Sequence, residues 1–227
     1  MCIRDSIRVY SVEDILKNED FGKVLTYIPD DCIYPSNVPV LRREGKDASR
    51  LYLVDTPARN LALMPNGFGY VHESLKRLGI AHTVIDYDII IYHWFQITRI
   101  IDNDGEMCVD EELSFPADPW KADHYDLWTD DLTVKFFQPF AESLAVYIAL
   151  DAADVIMLSL QQNNESFSRI LVTEIKRLLP KSIITVGGFS CYNHEIGLRA
   201  FPQADYMFVG ESDFTVDLLI PRLLNGE

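Results

Sequence analysis

One stretch, residues 154–191, limits the folds open to this chain more than any other. Val155–Leu160 is an apolar run of strand length, and Ile183–Val186 is a second run, rich in β-branched residues. Between the two runs, apolar residues recur at helical spacing over Ser166–Leu179, and Pro180 ends that pattern. A strand, a helix and a strand of this length predict a right-handed crossover between two parallel strands.

The loops that follow these two strands are the first candidates for a binding site. Ligands of open parallel sheets bind beyond the carboxyl ends of the strands. Here those ends are Ser159–Gln162 and Gly187–Cys191, which are rich in small, polar and glycine residues. The sequence therefore predicts that the functional site lies at this edge of the sheet.

The same patterns predict further strands and helices on either side of the central stretch. The additional strands are Arg50–Asp55, His82–Tyr87 and Ala204–Val209, and the additional helices are Gly67–Leu78, Phe136–Leu150, Glu195–Phe201 and Phe214–Leu224. Five parallel strands separated by helices predict a doubly wound α/β sheet of the flavodoxin-like form, with strand order 2-1-3-4-5.

The domain organisation follows from where these patterns begin and break. Residues 1–49 lack a period and are predicted to form an irregular extension, while residues 50–227 form one Rossmann-like domain.

An insertion follows the second strand, at about residues 89–135. Within it, Ile89–Phe95 is either a short helix or a strand. Thr98–Ile101 and Glu106–Val109 flank the turn signal Asn103-Asp104-Gly105 and predict a hairpin. Trp120, Tyr125 and Trp128 are expected to pack the insertion onto the domain.

Charge and cysteine content exclude several classes of function. The formal net charge is −15, which argues against nucleic acid and anionic membrane surfaces as partners. The chain has no predicted leader and no apolar run near 18 residues. Its four scattered cysteines form no zinc or iron–sulfur motif and favour a reduced, cytoplasmic location. The acidic run after Asp102 has Met107 where a calcium-binding EF-hand loop needs glycine, so we predict no metal site there.

The strand-end residues themselves suggest a ligand of a particular shape. The Ser159 hydroxyl can donate a hydrogen bond to a buried heteroaromatic nitrogen, and the amides of Gln161 and Gln162 can donate to carbonyl or phosphate groups. Gly187 and Gly188 allow a flat or extended ligand to approach the backbone. The first strand is followed by TPARN, without the GxGxxG of dinucleotide-binding folds, which argues against NAD and FAD.

Four segments in order, LVDTPA, the Ser159 loop, VGGFSC and FPQADYMFVGES, resemble the cobalamin-binding domain that precedes the core of cobalamin-dependent radical S-adenosylmethionine (radical SAM) enzymes. The similarity spans about residues 50–220. It implies that Ser159 meets the dimethylbenzimidazole tail of cobalamin, that the double glycine lets this tail enter the sheet, and that the loop Gly210–Ser212 lies along its entry. The cofactor-binding residues that it implies are Thr56, Pro57, Ala58, Ser159, Leu160, Gln161, Gln162, Gly187, Gly188, Phe189, Ser190, Gly210 and Glu211.

The chain departs from related cobalamin proteins at three positions. Classical methyl-transfer and mutase relatives carry D-x-H-x-x-G after the first strand; here Asp55 matches, but Pro57 stands at the histidine position and Asn60 at the glycine position. Proline offers no metal ligand, so cobalamin would bind base-off with no protein histidine on the cobalt. Gln161 also replaces the leucine of the family's S-x-L motif.

These departures leave open a cofactor-free structural or interaction domain with the same fold. A receiver-like or nucleotide-binding domain is a third reading, disfavoured because Asp55 stands without an acidic cluster. Of the histidines, His72 and His82 are expected to be surface or cap residues, and His194 lies near the double glycine.

By resemblance, the whole protein would be a methyltransferase-type enzyme of which this chain is only the binding module. S-adenosylmethionine and a 4Fe–4S cluster would be held by a C-terminal radical SAM domain, in cis or in trans, because the cysteines here are too scattered to hold a cluster. The chain alone is expected to catalyse nothing.

Overall fold

The computed structural model describes residues 49–57, 66–101, 116–161, 163–193 and 201–226, together with residues 195, 197 and 199. Several predictions lie outside these residues: the irregular extension up to residue 48, the acidic run with the second strand of the hairpin, and the sites at Ala58, Gln162 and His194. Of the helix predicted at Glu195–Phe201, residues 195, 197 and 199 are helical, whereas Phe201 is described and lies outside regular secondary structure.

A five-stranded parallel sheet forms the centre of the domain. Its strands are β1 (Leu51–Asp55), β2 (Thr83–Asp86), β3 (Val155–Ser159), β4 (Ile183–Gly187) and β5 (Tyr206–Met207). They lie in the order β2-β1-β3-β4-β5, and every neighbouring pair is parallel. The predicted flavodoxin-like α/β fold and its strand order are therefore confirmed.

In the part of the chain that the structure describes, five complete α-helices cover the sheet: α1 (Asn66–Arg77), α2 (Tyr87–Ile101), α3 (Asp131–Ala149), α4 (Glu165–Leu178) and α5 (Asp213–Leu224). A short 3-10 helix, Tyr125–Thr129, precedes α3, and another, Phe189–Cys191, follows β4. The start of α3 is set by Asp130, whose carboxylate accepts a hydrogen bond from the Thr133 amide at 2.8 Å. Among the described residues, each helix is too short or too polar to span a bilayer.

Successive side chains of each strand point to opposite faces of the sheet, and this alternation divides the apolar core into two layers. In β1, Leu51 and Leu53 face a layer formed with α1 and α5, whereas Tyr52 and Val54 face the layer that contains α2, α3 and α4. Successive side chains of a strand point to opposite faces, so buried strands of this kind need helices on both sides. We call the first layer the α1/α5 face and the second the aromatic face.

The predicted hairpin in the insertion is wrong at its first strand. Thr98–Ile101 continues α2, which runs from Tyr87 to Ile101. Ile91, Trp94 and Phe95 all lie buried in the core, and the rings of Trp94 and Phe95 contact phenylalanine rings of α3, so packing stabilises the helical conformation.

The predicted packing of the insertion aromatics onto the domain is confirmed by their contacts. Trp128 is fully buried and Trp120 nearly so, and both rings contact Phe137 of α3. Tyr125 packs at the margin of the same cluster. The described aromatic residues of the insertion are thus part of the core.

The strand β5 is shorter than the predicted Ala204–Val209 because side-chain and single backbone contacts replace regular pairing at both ends. The Asp205 carboxylate accepts a hydrogen bond from the Ile184 amide at 2.7 Å, and the Phe208 amide donates to the Val186 carbonyl at 2.8 Å. Only Tyr206 and Met207 pair with β4 as a regular ladder.

Candidate functional site

The carboxyl ends of the three central strands lie side by side. Asp55, Ser159 and Gly187 occupy one register line across β1, β3 and β4. Their positions within the strands assign all three to the α1/α5 face, because residues two apart in a strand share a face. The predicted convergence of the β3 and β4 loops at one edge is therefore observed.

A cavity of about 540 Å³ opens on the α1/α5 face below this edge. Its lining residues come from three strands, the loop after β5 and both helices of the face: Leu53, Gly67, Phe68, Tyr70, Val71, Met157, Leu158, Ser159, Thr185, Gly187, Gly188, Phe208, Gly210, Glu211, Ser212 and Val216. Most of these are apolar, with a few hydroxyl groups and one carboxylate among them. The volume falls within the range of roughly 300–1,000 Å³ that small-molecule sites have, and the mixed lining is also typical of them.

The two glycines after β4 have different structural roles. Gly188 has φ 104° and ψ −170°, a backbone conformation that is essentially restricted to glycine. A Cβ at Gly188 would lie 2.6 Å from the Leu160 carbonyl oxygen and 3.2 Å from Ser159 Oγ. The absent side chain thus allows the β3 and β4 loops to touch.

Gly187 leaves space in the cavity instead. A Cβ at Gly187 would meet the Phe208 side chain at 3.5 Å, an ordinary contact distance. Substitution at Gly187 therefore changes the shape of the cavity, whereas substitution at Gly188 first changes the loop.

Backbone hydrogen bonds join the β3 and β4 loops at the cavity mouth. The Leu160 amide donates to the Gly187 carbonyl at 2.6 Å, and the Ser190 amide donates to the Leu160 carbonyl at 3.1 Å. Ser159 is therefore held beside Gly187 by the chain on its carboxyl side as well as by the sheet.

Asn164 holds the loop after β3 in place through side-chain hydrogen bonds, a role that the sequence patterns did not reveal. Its side chain is fully buried; the amide nitrogen donates to the Ser159 carbonyl at 2.9 Å and to the Thr56 carbonyl at 3.4 Å. Its amide oxygen accepts from the Gln161 backbone at 2.7 Å. The only sequence signal was an asparagine directly before a helix, where a cap would be expected.

Thr185 is a second residue that the sequence analysis missed. It lines the cavity from the middle of β4, two residues before Gly187, and is fully buried. Its hydroxyl oxygen has no hydrogen-bond partner among the described residues. A threonine facing an otherwise apolar floor was visible in the sequence IITVG, but its lack of a partner was not.

The remaining predicted residues lie in several environments. Ser159, Gly187, Gly188, Gly210 and Glu211 line the cavity; Thr56, Pro57, Leu160, Gln161, Phe189 and Ser190 are described but do not belong to the lining. Thr56 points to the aromatic face, where its hydroxyl lies 2.7 Å from the hydroxyl of Ser168 in α4. Leu160 is buried in the core of that same face.

Large apolar side chains are exposed around the carboxyl edge. Phe189 and Tyr192 follow β4, Val209 follows β5, Phe214 begins α5, and Tyr70 lies near the start of α1. Phe189 and Phe214 are 78% and 75% exposed, respectively. We call these five residues the apolar rim. An apolar group of this kind beside a cavity favours contact with a ligand or a partner.

The described histidines lie away from the cavity lining. His72 and His82 contact each other, with Nδ1 of the first 2.9 Å from Nε2 of the second. His124 Nδ1 lies 3.0 Å from the Asp118 carbonyl oxygen, and burial lowers the pKa of His93, partly offset by the nearby Asp86. Within the described residues, no group of three or more His, Cys, Asp and Glu side chains could hold a metal ion.

The one described cysteine is an inert core residue. Cys191 is buried beside the double-glycine loop, and its amide donates to the Gly188 carbonyl at 3.0 Å. Burial, and to a lesser extent the negative charge of Glu165, raises the pKa of its thiol to about 11. The thiol is therefore protonated at neutral pH and unsuited to nucleophilic work.

Comparisons with protein-family models, with curated proteins and with solved structures found no match to this chain.

Proposed function

We propose that this chain binds a corrinoid, cobalamin or a close analogue, with the base of the nucleotide tail inside the cavity and detached from the cobalt. The observation that carries the proposal is the cavity itself, which opens on the α1/α5 face and is lined by Ser159 and Gly187 at the ends of neighbouring strands. A filled core at this position would have argued for a purely structural domain. The sequence resemblance supports the same ligand.

The residues of the cavity fit an aromatic base. Phe68, Met157, Phe208 and Val216 supply apolar walls, so that a flat ring would bury its faces there. Burying apolar area contributes about 25 cal/mol per Å² to binding, before the costs of association. The Ser159 hydroxyl at the mouth can donate to a ring nitrogen, and Gly187 leaves room for the linker to the base.

The apolar rim fits the larger part of a corrinoid. A flat macrocycle resting on the carboxyl edge would cover Phe189 and Phe214, whose side chains are largely exposed. Pro57 follows β1 and offers no ligand atom for a metal, so the lower face of the cobalt would receive no protein histidine from that loop. The corrinoid, when bound, supplies a cobalt that carries methyl groups; the protein residues position it and exclude water from the base.

We further propose that the module serves a methyltransferase-type radical SAM enzyme. S-adenosylmethionine and the 4Fe–4S cluster would then belong to a catalytic domain in cis or in trans. The order of LVDTPA, VGGFSC and FPQADYMFVGES along the chain supports this proposal, and the apolar rim is a surface that such a domain could share with the corrinoid.

Titration with hydroxocobalamin tests the binding proposal. We expect the purified chain to retain cobalamin through gel filtration. The electron paramagnetic resonance spectrum of its cobalt(II) form should lack nitrogen splitting from either the tail base or a histidine. Ser159→Ala should weaken binding by about tenfold, the usual effect of losing one hydrogen bond to a buried group. Ser166→Ala, outside the cavity lining, is the matched control. No retained corrinoid, or imidazole splitting, would contradict the proposal.

A further inference from the structure

The buried hydroxyl of Thr185 suggests which base the cavity accepts. Thr185 is flanked along β4 by Ile184 and Val186 and lies in register with Met157 of β3. Its side chain is fully buried on the cavity side of the sheet, and no described residue pairs with its hydroxyl. A valine would have the same shape without an unpaired polar group. The buried hydroxyl therefore destabilises the fold unless a ligand supplies its hydrogen-bond partner.

Ser159 and Thr185 lie at different depths in the cavity. Ser159 is in register with Gly187 at the strand ends, and Thr185 is two residues further into β4. Two residues of a strand correspond to roughly 6–7 Å, comparable with the length of a bicyclic heteroaromatic base. One base lying along the strands, with one long edge toward the sheet, can therefore face Ser159 with a ring nitrogen and Thr185 with a group on its six-membered ring. Met157, at the level of Thr185 on the neighbouring strand, has an unbranched side chain that can adjust to the base.

The hydroxyls of Ser159 and Thr185 need hydrogen-bonding partners at different positions on that base. Dimethylbenzimidazole has one free ring nitrogen once it leaves the cobalt, and its far edge carries two methyl groups. It can satisfy Ser159 but leaves Thr185 facing hydrocarbon. A purine such as adenine has a nitrogen for Ser159 and further ring nitrogens and an amino group along its six-membered ring. It can satisfy both hydroxyls.

We propose that the cavity selects corrinoids whose lower base has a hydrogen-bonding far edge, adenine in particular, over cobalamin itself. The inference rests on the proposed corrinoid binding and adds to it the identity of the base. Thr185 is then the residue that determines specificity, and Ser159 recognises the nitrogen that both classes of base share.

Parallel titrations with two corrinoids test this inference. The probes are hydroxocobalamin and the hydroxo corrinoid that carries adenine as its lower base, each followed by absorption at equilibrium. We expect the wild-type chain to bind the adenine form about tenfold more tightly, since an unpaired buried hydroxyl disfavours the other. Thr185→Val should reduce this preference to below about threefold, and Ser159→Ala should weaken both corrinoids while keeping the preference.

A second measurement separates recognition from folding. Ligand-free Thr185→Val should unfold at the same temperature as the wild-type chain or higher, because the substitution removes an unpaired buried group. Equal binding of both corrinoids by the wild-type chain, or a preference unchanged in Thr185→Val, overturns the inference and leaves corrinoid binding standing. Failure of both corrinoids to bind overturns the inference together with the proposed function.

Discussion

The two faces of the sheet differ in how closely they are packed. The aromatic face is filled: Trp94, Trp128, Phe137, Phe140 and Phe167 are all nearly or fully buried, and their rings contact one another. The α1/α5 face has smaller and fewer apolar side chains, and it encloses the cavity. Close packing stabilises a fold, whereas a cavity forgoes contacts that its lining atoms could make. The comparison indicates that one face holds the domain together and leaves the other free to bind.

Truncating a buried side chain on each face should give the largest difference. Trp128 is fully buried, and its indole nitrogen donates to the Pro119 carbonyl at 3.0 Å. Trp128→Ala should lower the free energy of unfolding by about 3–5 kcal/mol, because it leaves a large void and an unpaired carbonyl. Val216→Ala, at the cavity wall, should cost only about 1–2 kcal/mol. Urea unfolding measures both; equal losses would contradict the contrast between the faces.

Gly187 and Gly188 allow a second comparison, of backbone constraint at the cavity mouth. Gly188→Ala should destabilise the chain by about 1–3 kcal/mol, because φ is 104° and the added Cβ would lie 2.6 Å from the Leu160 carbonyl oxygen. Gly187→Ala, where the new Cβ would lie 3.5 Å from Phe208, should change stability by less than about 1 kcal/mol. Thermal unfolding of the two variants provides the test, and comparable losses would show that the two positions are equally constrained.

A pH effect on the aromatic face should be the smallest. Burial lowers the pKa of His93 in the folded chain below its ordinary value of 6.5. The unfolded chain therefore binds protons more readily, and this contribution to stability is complete above pH 6.5 and is lost as the pH falls below it.

The measurement compares the unfolding free energy of wild type and His93→Gln between about pH 7.5 and pH 5.5. The wild type should lose more than the variant, by less than about 1 kcal/mol. His124→Gln, outside the aromatic core, is the control. A wild-type chain whose stability falls no more than that of His93→Gln would contradict the assigned cause.

Much of the fold could be predicted because its signals are local. The apolar runs of β3 and β4, the helical spacing between them and the crossover rule predicted parallel strands, and a topological switch between β1 and β3 made the order 2-1-3-4-5 the expected one. The strand prediction at Thr98–Ile101 was wrong because a turn signal was weighed without the packing of α2 on α3. The end of a helix depends on what its side chains meet, and that is not a local property.

The candidate site, like the fold, was predictable from the sequence only in part. The amino-acid sequence by itself determined the parallel strands, the edge where their loops meet, and the small residues Ser159 and Gly187 at that edge, because periodicity and residue size are local properties of the chain. Only the tertiary structure decided that Asn164 supports the loop, that Gly188 touches Leu160, and that Thr185 lies buried without a partner. Each of these depends on atoms brought together from distant segments, and the pairing of a polar group is a property of its surroundings.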